Sequence, residues 1–116
     1  MRIATIALAG LLPVLAATPA SAEAPRSVVA LLGPSLGHLL AQSDLCGWNL
    51  QPKIETTYKA SFHKIGLTAA QQTAVWDQAK LRRQGMLSAP DDAKARMKAE
   101  MCSPAIRTQI DHDLAN

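Results

Sequence analysis

Ile54, Tyr58, Phe62 and Ile65 follow one another at spacings of four, four and three residues, while Lys53, Glu55, Lys59, His63 and Lys64 fall between them. That is one apolar stripe on a helix of 3.6 residues per turn. Pro52 suits its first turn and Gly66 its C-terminal cap. The next helix opens at Thr68, which with Gln71 makes a capping box. It is predicted to run to about Gln84 and stop at Gly85, with Val75, Trp76 and Ala79 facing the core. A further helix follows, with Ser88 as its cap and Asp91 and Asp92 in its electropositive first turn. Ala93, Met97 and Met101 form its stripe. Ser103-Pro104 restarts the chain into a last helix carrying Ile106, Ile110 and Leu114.

The stretch before these is less regular. Leu32, Leu36, Leu39 and Leu40 lead to Cys46 at helical spacing, but Gly33-Pro34 interrupts them. Proline is tolerated in a first helical turn, where its missing donor has no partner anyway. The expectation is therefore a helix from about Pro34 to Cys46 after a short turn at Ser27 to Leu32, with one kinked helix as the alternative. Short connections favour antiparallel neighbours. The chain carries four aromatic residues, Trp48, Tyr58, Phe62 and Trp76, and no alternating β-branched runs, which disfavours strands. The predicted fold is an all-α bundle of four to five helices.

The N-terminus is patterned differently. Arg2 precedes an uncharged apolar run from Ile3 to Ala17, and the segment closes on Ala20-Ser21-Ala22. This is the layout of a secretory signal peptide, with cleavage expected after Ala22. Residues 1–22 then form the leader and residues 23–116 one small domain. The run is short of the roughly 20 residues of a membrane span, so no span is expected after cleavage. Location is expected to be periplasmic or secreted. A signal peptide before a short two-cysteine helical domain is similar in plan to many small bacterial periplasmic proteins, a resemblance that is architectural and carries no site.

Export changes how Cys46 and Cys102 are read. They are the two cysteines of the chain, and an even count in an oxidising compartment points to pairing. No CxxC, CxxCH or zinc-knuckle spacing is present. Trp48 is expected to pack over the Cys46–Cys102 disulfide.

Charge adds little. Twelve basic residues face nine acidic ones, and they are interspersed except at Lys80 to Arg83, which reads as a solvated helix face. Nucleic acid is not expected as a partner. His38 lies near the leucine stripe and His63 on a polar face, and neither belongs to an HxxxH or HExxH pair. Asp111, His112, Asp113 and the Asn116 carboxylate supply hard ligands within the tail, which raises a calcium- or lanthanide-type cation, with ligands shared across a dimer as one form of it. Met86, Met97 and Met101 raise a soft metal instead, because thioethers suit Cu(I), and Met97 or Met101 could be joined by a histidine. Packing is the simpler use of the Met97/Met101 pair.

No catalytic set is recognisable. The sequence therefore points to a non-enzymatic exported accessory protein that contacts another periplasmic protein through a helix surface. The alternative is a metal-binding or trafficking protein using Asp111, His112 and Asp113, the one cofactor expectation being a metal ion.

Overall fold

The structure, a computed structural model, describes residues 26–115. The expected signal peptide, residues 1–22 with cleavage after Ala22, lies outside the described residues, as does Asn116. Five helices make up the described chain: α1 (Arg26–Leu45), α2 (Gln51–Lys64), α3 (Ala69–Leu87), α4 (Asp91–Met101) and α5 (Pro104–Ala115). The all-α bundle is as expected, and no helix among these residues is long and apolar enough to cross a membrane.

The first helix departs from the expectation. α1 is a single helix from Arg26 with Pro34 inside it, rather than a turn followed by a helix at Pro34. Proline costs an interior helix one hydrogen bond and crowds the carbonyl four residues earlier. It also pushes the preceding residue away from helical geometry, partly through that residue's Cβ. Here the preceding residue is Gly33, which has no Cβ, so part of that conflict is absent. The remaining cost is offset by packing, because Gly33, Leu36, Gly37, Leu40 and Ala41 are all buried along this helix.

Packing explains why the dipeptide is helical. A Cβ placed on Gly33 would lie 2.6 Å from the Cβ of Gln78, and one on Gly37 would lie 2.5 Å from the carbonyl oxygen of Ala79. Gly33, Gly37 and Ala41 recur every four residues, so they form a smooth face that lets α3 approach to backbone contact. α1 and α3 make by far the most extensive helix pair of the molecule. The facing residues advance together along both chains, Gly33 with Gln78, Gly37 with Arg82 and Asp44 with Arg83, so the two run parallel. Short connections led to the expectation of antiparallel neighbours. The dominant contact instead skips α2.

Local chemistry sets the helix ends. Gly47 and Gly66 both have positive φ, 66° and 78°. After α1, the amides of Gly47 and Trp48 donate to the carbonyls of Asp44 and Ser43; after α2, those of Gly66 and Leu67 donate to His63 and Phe62. Each is the paired Schellman closure that a left-handed residue permits. The Thr68–Gln71 capping box forms as predicted, with reciprocal bonds of 2.8 and 3.1 Å. Two boundaries differ. α3 continues through Gly85 to Leu87, and Ser88 is its C-cap; α4 begins after Pro90 without a side-chain cap. Asp91 and Asp92 do occupy its first turn.

Leu36, Leu40, Leu50, Ile54, Phe62, Leu67, Val75, Ala79 and Leu114 form the core. Phe62 sits at its centre, with Tyr58 and Trp76 edge-on to its ring at centroid distances of 6.0 and 5.7 Å. The predicted α2 stripe holds through Ile54, Tyr58 and Phe62. Ile65 leaves it: as the C-cap residue it is 45% exposed. α4 contributes no fully buried residue. It is held by the Cys46–Cys102 disulfide, whose Cα atoms are 5.4 Å apart, and by Gln42 Nε2 donating to the Met101 carbonyl at 2.8 Å.

Candidate functional site

The weakly buried α4 leaves a groove of about 610 Å³ against α1 and α3. His38 lines it from α1, Leu81, Arg82 and Met86 from α3, and Met97, Glu100 and Met101 from α4. The lining follows from local structure. Gln42, one turn after His38, reaches the end of α4, so this face of α1 looks toward α4. Met97 and Met101, four residues apart, share one face of α4. The disulfide at Cys102 holds the end of that helix beside Cys46.

All three methionines of the described residues therefore line the same groove as His38. None of the four is fully buried, so each presents some side chain to the groove. No hydrogen bond or ion pair reaches His38 from another described residue. Leu81 is 70% exposed beside them. A leucine left that open on a groove wall, amid polarizable thioethers, makes a surface suited to apolar or soft ligands.

The tail residues are placed differently. Asp111 accepts Arg107 Nε through both oxygens, at 3.0 and 3.1 Å. Asp113 accepts Gln109 Nε2 at 2.9 Å, and His112 Nδ1 lies 3.7 Å from it. The three are consecutive on α5 and so point in different directions. Among the described residues, no group of three or more His, Cys, Asp or Glu side chains is gathered closely enough to hold a metal ion.

Arg107 also lies over the Trp48 ring, its guanidinium carbon 5.4 Å from the centroid, a cation–π contact. Trp48 packs against the core cluster at this point. Arg83, read as part of a solvated basic face, is a tie instead. It binds Asp44 in a two-point ion pair and donates to Gln51 Oε1 at 2.9 Å, joining α3 to the junction of α1 and α2.

A second, smaller pocket of about 350 Å³ opens between α1, α2 and α5, lined by Leu32, Leu39, Phe62, Ile65 and Ile110 with Tyr58 and Asp113. Burial pushes the Tyr58 phenol above its ordinary value, and the negative charge of Asp113 adds to the shift.

The sequence grouped Met86, Met97 and Met101 as soft donors and allowed a histidine to join Met97 or Met101; the structure lines one groove with all three and with His38. Sequence reasoning missed Leu81, an α3 residue that is 70% exposed on the groove wall. Comparison with protein-family models, with curated proteins and with solved structures found no significant match.

Proposed function

We propose that this protein is a non-enzymatic accessory protein of the exported compartment, which binds an apolar helical segment of another protein in the α1–α3–α4 groove. The observation that carries the reading is Leu81, 70% exposed on a wall shared with three partly exposed methionines. Unbranched thioether side chains adapt to an incoming apolar surface at low steric cost. An amphipathic helix laid in a groove uses anchors one turn apart. Met97 and Met101 have that spacing and offer a complementary face. Arg82 on the α3 wall and Glu100 on the α4 wall carry opposite charges, which favours one orientation of charged residues flanking the apolar anchors. The signal-peptide pattern supports the compartment, and the disulfide is compatible with it.

Site-specific photocrosslinking in cells that export the protein tests this reading. A photoreactive residue at Leu81 should give one discrete adduct, mapping by mass spectrometry to an apolar helical segment of the partner. The same residue at Lys59, on α2 away from the groove, should give none, and Met97→Lys should abolish the Leu81 adduct. Equal labelling at the two positions, or an adduct indifferent to Met97→Lys, would sink the proposal.

A further inference from the structure

The same groove has a chemistry that a purely apolar docking surface does not need. We infer that it is a Cu(I) site, with the thioethers of Met86, Met97 and Met101 and the imidazole of His38 as its ligands. The inference shares the working surface proposed above but does not depend on a protein partner.

Three observations carry it. The first is convergence: the four side chains come from three helices and line one groove. Methionines serving only as core filling would be expected to be buried, whereas each of these is partly exposed. The second is the state of the histidine. With no hydrogen bond or ion pair from a described residue, its ring nitrogens are not committed to a structural role. The third is the cysteines. Both are joined in the disulfide, so a soft ion meets no thiolate here, and thioether and imidazole are the soft donors at hand.

The preference for Cu(I) follows from donor type. Thioethers are soft, uncharged ligands that select Cu(I) over hard cations, and imidazole suits copper as well. Binding requires no redox step: the ion arrives and stays as Cu(I), and the thioethers have no proton to lose. A protonated His38 would release its proton to solvent before ligating, as any imidazole ligand must. The disulfide and the Gln42 bond to Met101 hold the end of α4, which limits the rearrangement that gathering the thioethers demands.

The test uses the mature chain with its disulfide intact, under anaerobic conditions. Cu(I) is supplied as its bicinchoninate complex, and loss of that complex's colour reports transfer. One equivalent should move to the protein. In selenomethionine-labelled protein, X-ray absorption at the copper edge should show selenium in the first coordination shell. Met97→Leu/Met101→Leu keeps apolar volume, a swap that cores tolerate well, and should weaken binding by about a hundredfold or more. His38→Gln should remove the nitrogen scatterer. Circular dichroism establishes that each variant is folded.

No transfer to the wild-type protein overturns the inference. So does copper binding that survives the double leucine variant, or a first shell of oxygen and nitrogen without selenium. The two proposals fail separately. A Leu81 adduct without copper transfer removes the metal alone, and copper transfer without an adduct removes the docked segment alone.

Discussion

Gly37 and Ala79 are in contact so close that a Cβ on the first would stand 2.5 Å from the carbonyl oxygen of the second. Backbone cannot step aside as the tip of a side chain can. Gly37→Ala gains about 1 kcal/mol of helix propensity, but overpacking against fixed atoms costs about 1–3 kcal/mol. The contact should win, leaving a net loss of up to about 2 kcal/mol in chemical denaturation. Gly85→Ala is the opposite case. It is also inside a helix, but a Cβ there meets nothing within 4 Å. That variant should be more stable by about 0.5–1 kcal/mol. Equal effects at the two sites would contradict the close α1–α3 approach.

Ser43 is buried, and its Oγ accepts the buried amide of Leu50 at 2.8 Å. Ser43→Ala leaves that donor without a partner, at a cost of about 1–3 kcal/mol. Ser43→Cys supplies only a weak acceptor of larger size and should not restore the loss. Urea unfolding of both variants reads this directly. A neutral Ser43→Ala would mean that another acceptor reaches Leu50.

The disulfide spans a sequence separation of 56. Loop closure of that length stabilises by about 4 kcal/mol as an upper figure. Since α4 has no fully buried residue of its own, the Cys46→Ser/Cys102→Ser variant should lose α4 first. Hydrogen exchange should then accelerate across Asp91–Met101 more than across α1 and α3. Uniform acceleration would show that the staple acts on the whole bundle instead.

Tyr58 is the single tyrosine of the chain, so its ionisation can be followed by absorbance near 295 nm. It should titrate above the ordinary 10.0, through burial first and Asp113 second. Asp113→Asn should bring it partway down. The linkage has a definite sign: below about 10 both folded and unfolded chains hold the phenolic proton, so this group's contribution is constant there. As pH rises past 10 the unfolded chain loses its proton more readily, and stability falls until the folded phenol ionises too. A Tyr58 that titrates at or below 10 in the native protein would contradict its burial against α5.

Much of the secondary structure was legible in order and residue type. The α2 stripe of Ile54, Tyr58 and Phe62, the Thr68–Gln71 box, the acidic first turn at Asp91 and Asp92, and the pairing of Cys46 with Cys102 all rest on local periodicity, capping or compartment chemistry. Pro34 and Gly85 misled for one reason. Each is a local breaker: at Pro34 a cost of about 3 kcal/mol yields to the packing of α1, and at Gly85, in open space, the cost of about 1 kcal/mol is too small to end α3.

Residues close in the chain, together with the cysteine count, are enough to set the helical class, most helix ends and the covalent staple. Packing between distant segments is what carries α1 unbroken through Pro34, lays α3 parallel against its glycine face, and puts Leu81, His38 and the three methionines on one groove. The spacing of Gly33, Gly37 and Ala41 was visible in the chain, but its meaning was not. A smooth helix face acquires a function only when a second backbone lies against it.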